Sequence, residues 1–443
     1  MPEPVVAIVG RPNVGKSTLF NRLTGWRMAI VEENPGITRD RLYKTVEWNG
    51  RTFILVDTGG LDYQETDEMY GQVRQQVEIA ISEADALIFV VDARSGLTVA
   101  DEEIAVNLRR AGTPVLLVAN KVEKFDGAVN YYDFFKLGLG EPIPCSAAQG
   151  LNTGDLMDRL LQILPDSKNE ALPEDIVKVA VVGRPNVGKS SLVNSILGSE
   201  RIIVSDVPGT TRDAIDTWYR RDGKNYLLVD TAGIRRKSQI RESVEKYSVI
   251  RALKSIERCD ISLIMIDAQY GVTEQDKRIA GFVHERGKAS ILVVNKWDLI
   301  EKDARTGELY RKKVLRELNF LDYAPIALVS ALGKKRIHQL LGTIDTVWIE
   351  YNRRIGTGDL NSLLEDIQLR NPPPTRKSKK VTIYYATQGA VKPPTFVLFT
   401  NAPELMHFSY LRYLDNQLRL AYGFKGTPIR FVLRKRSRKG EPN

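Results

Sequence analysis

The segment Gly10-Arg11-Pro12-Asn13-Val14-Gly15-Lys16-Ser17 recurs unchanged as Gly183-Arg184-Pro185-Asn186-Val187-Gly188-Lys189-Ser190, 173 residues later. An identical octapeptide at that separation restricts the chain to architectures that build one local geometry twice. Other pairs keep the order: Pro35-Gly36-Ile37-Thr38-Arg39-Asp40 answers Pro208-Gly209-Thr210-Thr211-Arg212-Asp213, and Asp57-Thr58-Gly59-Gly60 answers Asp230-Thr231-Ala232-Gly233. The offset is 175 at Asp92 and Asp267 and again at Asn120-Lys121 and Asn295-Lys296, then 184 at Ser146-Ala147 and Ser330-Ala331. Units of about 165 to 175 residues exceed a solenoid repeat and predict a duplicated domain.

Within each unit short apolar runs alternate with amphipathic stretches, which predicts an α/β fold: a mainly parallel sheet with helices on both faces. In the first unit the expected strands are Val5 to Val9, Phe53 to Val56, Ala86 to Val91, Pro114 to Ala119 and Ile143 to Cys145. Leu42 to Trp48, ahead of Asn49-Gly50, reads as an antiparallel edge strand entering a tight turn. The expected division is 1–164, an acidic linker at 165–175, a second unit at 176–351, and a small α+β domain at 352–443. The character changes after Tyr351, and Asn371 to Lys380 breaks the pattern with three prolines and a basic cluster. The expected order of this last domain is α-β-β-α-β, over Asp359 to Leu369, Val381 to Thr387, Thr395 to Thr400, Glu404 to Tyr422 and Ile429 to Arg434.

Charge separates the same regions. The chain of 443 residues carries +9, but residues 370–443 hold 15 Lys and Arg against three acids, a balance of +12 that leaves −3 for the rest. The basic character therefore belongs to the C-terminal sixth. Cys145 and Cys259 lie far apart in sequence, which argues against a disulfide framework and for a reducing compartment. His284, His338 and His407 have no metal-ligand spacing. No secretory leader is visible and no apolar run approaches the ~20 residues of a membrane span, so a cytoplasmic protein without an integral membrane segment is expected.

Gly-x4-Gly-Lys-Ser directly after a strand and before a helix is the phosphate-binding loop. Gly10, Gly15, Gly183 and Gly188 allow backbone amides to turn inward around a β-phosphate, while Lys16 and Lys189 reach the β and γ oxygens. Ser17 and Ser190 place hydroxyls on Mg²⁺, with Thr18 and Ser191 beside them at the helix start. Asp57 and Asp230 hold Mg²⁺ through water, and Gly60 and Gly233 offer amides to the γ-phosphate. Thr38 and Thr211 stand where a loop adds a further Mg²⁺ ligand. The expected catalytic set is Lys16, Thr38, Gly60, Lys189, Thr211 and Gly233.

In Asn295-Lys296-Trp297-Asp298 a carboxylate accepts from both N1–H and the 2-amino group of guanine, donors that adenine lacks, so GTP is the expected nucleotide. The first unit has Asn120-Lys121-Val122-Glu123, in which a longer glutamate keeps the charge but displaces the carboxylate. Ser146-Ala147 and Ser330-Ala331 are expected to complete each pocket with an amide toward guanine O6. After the Asp-x-x-Gly segments stand Leu61 and Ile234, which cannot orient a water by hydrogen bonding.

With five motifs in order twice, the chain resembles the translation-factor class of GTPases. The tandem arrangement, the Gly-Arg-Pro-Asn-Val-Gly-Lys-Ser loops, the Pro-Gly-x-Thr-Arg-Asp segments and the small basic domain resemble the bacterial Der (EngA) family over nearly the whole chain. The resemblance implies two tandem P-loop GTPase domains, a KH-like C-terminal domain, and GTP hydrolysis coupled to assembly of the large (50S) ribosomal subunit. Glu123 departs from the family's usual aspartate. Asn13 and Asn186 resemble the asparagine of potassium-activated GTPases, which implies K⁺ beside the phosphates; the plainer alternative is that asparagine shapes the loop. A monomer is expected.

The basic segments at 371–380 and 430–439 flank a small sheet bearing Tyr384, Tyr385 and Phe396, which makes ribosomal RNA the leading partner class. The alternative is that these aromatics face the domain's own core. Gly423-Phe424-Lys425-Gly426 joins a helix to a strand and reads as a helix C-cap, not as an RNA clamp. A GTPase with a protein effector, or one held on a membrane surface by its basic tail, remains the alternative function.

Overall fold

The structure, a computed structural model, describes residues 3–25, 43–58, 84–123, 131–165, 176–198, 203–204, 216–230, 248–301, 303, 305–373, 375–376 and 379–435. The chain divides into two compact units. The first holds strands β1 (Val5–Val9), β2 (Tyr43–Trp48), β3 (Arg51–Asp57), β4 (Ala86–Asp92), β5 (Val115–Asn120) and β6 (Ile143–Pro144), in the sheet order β2-β3-β1-β4-β5-β6. β2 runs antiparallel to β3 through a turn at Asn49 and Gly50, both at positive φ; the remaining pairs are parallel. Every residue of β1 and β4 is buried, as a central parallel strand covered on both faces requires. One face packs on Leu19, Phe20 and Leu23 of helix Lys16–Thr24 and on Leu156, Met157 and Leu160 of helix Thr153–Ile163.

The second unit repeats this plan. Strands β7 (Val177–Val182), β8 (Ile203–Val204), β9 (Thr217–Arg221), β10 (Lys224–Val229), β11 (Ile261–Asp267), β12 (Ala289–Asn295) and β13 (Ile326–Leu328) lie in the order β8-β9-β10-β7-β11-β12-β13. The extra strand β8 adds one edge beyond β9. Helices Lys189–Leu197 and Ile337–Tyr351 cover the face that helices Lys16–Thr24 and Thr153–Ile163 cover in the first unit.

Residues from 352 onward belong to this same second unit. A two-residue hairpin, β14 (Thr375–Arg376) with β15 (Lys379–Lys380), precedes β16 (Ile383–Ala390), β17 (Thr395–Thr400) and β18 (Arg430–Lys435). β16 pairs antiparallel and β18 parallel with β17, and helices Thr357–Arg370 and Phe408–Tyr422 supply Leu360, Leu364, Leu414 and Leu418 to the core. The expected continuous helix from Glu404 is instead a 3-10 turn at Pro403–Leu405 and a helix from Phe408, because His407 accepts the Ser409 amide and caps it. Phe396 is also corrected: it is fully buried, since alternate residues of β17 face the helices. Tyr384 and Tyr385 are both exposed, a register shift between Ile383 and Tyr385 having broken the alternation.

The segment Gly423-Phe424-Lys425-Gly426 attaches this domain to the second GTPase sheet. Gly423 closes the helix, donating to Arg419 O at 2.9 Å. Phe424, wholly buried, donates its amide to Glu350 Oε2 at 2.7 Å. The Gly426 amide bonds Tyr323 O at 2.8 Å while its carbonyl accepts the Ser290 amide at 2.7 Å. A Cβ on Gly426 would stand 2.5 Å from Val347 Cγ2, so only glycine fits. Arg430 Nη2 donates to Glu285 O at 2.8 Å and Lys392 lies 4.1 Å over the Trp348 ring, which extends the joint on either side.

Candidate functional site

Each phosphate loop is built by a strand that ends in glycine and a helix that begins with lysine. Gly15 and Gly188 cap those helices with φ of 95° and 98°. A Cβ on either would overlap the carboxamide of Asn120 or Asn295, so these positions need glycine for conformation and for space. Lys16 Nζ donates to Gly10 O and Arg11 O at 2.9 Å, and Lys189 Nζ to Gly183 O and Arg184 O at 2.8 Å. The ammonium thus arches over its own loop. Burial lowers the Lys16 pKa from the usual lysine value, Asp57 opposes that shift, and Arg11 adds to it. Ser17, Thr18, Ser190 and Ser191 occupy the first turns of the two helices.

The base-side loops are tied to the phosphate loops by one asparagine in each copy. Asn120 Nδ2 donates to Val14 O at 2.8 Å while its Oδ1 accepts the Ala147 amide at 2.9 Å. Asn295 repeats both bonds, to Val187 O at 2.8 Å and from the Ala331 amide at 2.9 Å. In each Ser-Ala pair the alanine amide is therefore engaged by the asparagine carboxamide. Ser146 and Ser330 accept instead from the amides of Gln149 and Gly333, which holds those loops closed.

Asp92 and Asp267, which the repeat marks only by their common offset, anchor the next residue of each base motif. Lys121 Nζ bonds Asp92 Oδ2 at 2.6 Å and Asn13 O at 2.8 Å; Lys296 Nζ bonds Asp267 Oδ2 at 2.7 Å. Burial pushes the Asp92 carboxyl up, but the Lys121 hydrogen bond and the Arg94 amide outweigh it and hold the pKa below its ordinary value. An acid ending an all-apolar strand, repeated at the common offset, was the available signal. Asn13 and Asn186 adopt left-handed φ of 64° and 59°, so both help to shape the loop.

Glu123 and Asp298 are both exposed at the rim. Asp57, nearly fully buried, ends β3 beside Ile8 of β1 and so reaches the phosphate-loop edge of the sheet. Asp230 follows β10 with φ 60° and donates its amide to Asp216 Oδ1 at 2.8 Å. Thr38, Gly60, Leu61, Thr211, Gly233 and Ile234 lie outside the described residues. Hydroxyl and carboxylate oxygens of this kind suit Mg²⁺, a hard cation that takes much of its coordination from substrate phosphates and water. Among the described residues no group of three or more His, Cys, Asp or Glu forms a separate metal cluster. Cys145 is buried, which pushes its thiol up to about 12 and removes it as a nucleophile.

A family model described as "50S ribosome-binding GTPase" matches residues 5–121 and 178–296, and one described as "KH-domain-like of EngA bacterial GTPase enzymes, C-terminal" matches residues 354–434. Curated proteins named GTPase Der are similar over their whole length. That of Desulforamulus reducens is 60% identical, covering 99% of this chain and 100% of the relative. Those of Pelotomaculum thermopropionicum (60%; 99% and 100% covered) and Desulfitobacterium hafniense (53%; 100% of both) agree. The chain belongs to the Der family of GTPases. As a Der GTPase it binds guanine nucleotides and hydrolyses GTP, a reaction for which GTPases generally use Mg²⁺. The two motif sets lie in two P-loop domains of α/β fold, followed by a KH-like domain. No described helix of this Der GTPase is long and apolar enough to cross a membrane.

Proposed function

We propose that this Der GTPase is a nucleotide-controlled switch that binds ribosomal particles and acts in assembly of the large (50S) subunit, with its basic C-terminal domain on ribosomal RNA. One observation carries the reading. The Gly426 carbonyl accepts the Ser290 amide near the start of β12, and β12 ends at Asn295, which bonds both nucleotide loops. One strand thus links the second base pocket to the basic domain. Exposed Tyr384 and Tyr385, with Arg434 and Lys435 on β18, give that domain a surface suited to stacking bases and contacting phosphates.

In this reading Lys16 and Lys189 bind β and γ phosphates, and Glu123 and Asp298 select guanine. Ser17, Thr38 and Asp57 through water, and likewise Ser190, Thr211 and Asp230, hold Mg²⁺, which when bound neutralises phosphate charge. The Gly60 and Gly233 amides respond to the γ-phosphate. Asn13 and Asn186 ligate K⁺; faster turnover in K⁺ than in Na⁺ at equal ionic strength supports this, and equal rates overturn it. The domain boundaries are 1–164, 176–351 and 352–443, joined by the linker at 165–175, in a cytoplasmic monomer.

Co-sedimentation with ribosomal subunits in GTP, GDP and a non-hydrolysable analogue tests the whole. Nucleotide-dependent, salt-sensitive binding to the large subunit is expected. Binding that ignores the nucleotide, or binding to anionic vesicles alone, overturns it.

A further inference from the structure

The first base pocket differs from the second at two positions that touch. Glu123 stands where the second has Asp298, and Arg94 where the second has Gln269. In the first pocket Arg94 Nη2 and Glu123 Oε1 form an ion pair at the rim. Its basic end is fixed through the backbone: the Arg94 amide donates to Asp92 Oδ1 at 3.0 Å, and Asp92 Oδ2 holds Lys121 of the base motif at 2.6 Å. The Gln269 amide makes the same bond to Asp267 Oδ1 at 3.0 Å. The backbone therefore anchors residues 94 and 269 alike, and what differs is the cation.

A glutamate has one more rotatable bond than an aspartate, and ordering it for a ligand costs more conformational entropy. An ion pair on one side of its carboxylate reduces the orientations to be lost. Two carboxylate oxygens offer about four acceptor positions, so a group bound to one guanidinium nitrogen retains acceptors for N1–H and the 2-amino group of guanine.

We propose that Arg94 is a positioning residue for guanine at the first site, where its guanidinium holds the longer Glu123 carboxylate in the place that the shorter Asp298 takes at the second. The inference rests on the reading of Glu123 as the guanine acceptor. Charge is thus redistributed rather than lost in the first pocket: a longer acid is matched by a base that the second pocket lacks at the equivalent position.

The test uses the full chain carrying Asp298→Asn, which removes guanine binding from the second site, with fluorescent GDP and IDP as probes. Arg94→Gln is expected to weaken GDP binding about three- to fivefold, the range an exposed ion pair supplies. It should affect IDP, which lacks the 2-amino group, less, and leave GDP unchanged when Glu123→Asp is also present. Arg94→Lys should restore most of the loss. Unchanged or tighter GDP binding in Arg94→Gln overturns the proposal, as does an equal loss for GDP and IDP or an equal loss in both acid backgrounds. Glu123→Gln is the separate control: if GDP binding survives it, the guanine-acceptor reading fails, independently of Arg94.

Discussion

Gly112 and Gly287 occupy the same place in two copies of one domain, 175 residues apart and with φ of 70° and 67°. A Cβ on Gly112 would meet nothing within 4 Å, whereas one on Gly287 would meet the Arg430 guanidinium at 2.7 Å. The neighbouring helices diverge with them. Position 109 is arginine, reaching the carbonyl of Leu137; its counterpart is His284, partly buried and bonded through Nδ1 to Tyr323 Oη at 2.9 Å. Duplication has kept the nucleotide end of both sheets nearly identical, down to the bonds of Asn120 and Asn295, while the second copy changed a remote face to receive the basic domain. The rims of the pockets diverge as well. Arg11 bonds Ser95 in the first unit, and Arg184 lies 4.8 Å over the Tyr270 ring in the second. Conservation between the copies tracks the demands of a common ligand; divergence tracks what each copy packs against.

The sharpest way to break this comparison is at the base. Asp298→Asn should cut GTP binding at the second site and favour xanthine nucleotides, with selectivity shifting by about two orders of magnitude or more. Glu123→Gln should shift the first site in the same direction. Nucleotide competition binding reads both, and retention of guanine preference at either site would overturn the assignment of that acid as the guanine acceptor.

Gly426→Ala strikes the feature that the first unit lacks. Its φ of 73° and the close approach of buried Val347 should together cost about 3 kcal/mol. Thermal unfolding should show that loss, and limited proteolysis should release the C-terminal domain. Gly112→Ala, strained in backbone but unobstructed, should cost about 1 kcal/mol.

Acidification gives a smaller contrast. Burial, assisted by the Arg419 and Arg430 guanidiniums, lowers the His284 pKa to about 4. The unfolded chain binds this proton at higher pH than the folded one does, so His284 contributes stability above about 6.5 that is lost as pH falls toward 4. Between pH 7 and pH 5 the second unit should lose about 2 kcal/mol from this group. Denaturant titration should show that loss reduced in His284→Gln, and an identical pH dependence in wild type and variant would remove the histidine from the account.

Much of the fold was legible in the sequence because its signals are local. β1, β3, β4 and β5 lie within a residue or a few of their expected apolar runs, and the edge hairpin turns at Asn49-Gly50. Less legible were contacts that join distant segments. The bond from Asn120 to Val14, the anchoring of Lys121 by Asp92 and the Arg94–Glu123 pair each unite residues that no short motif contains together. The sequence pattern leaves the side of Phe396 open, because alternation in one strand offers two faces until helices choose between them, and here they bury it.

Two phosphate loops, two base motifs and one basic domain can be read along the chain, because each is encoded by contiguous residues whose backbone needs are met locally. That the basic domain joins the second GTPase sheet through Gly426, and that its tyrosines rather than Phe396 reach the surface, emerges only in the folded molecule. Those outcomes depend on which apolar faces pack together, and packing selects among arrangements that the same local pattern permits.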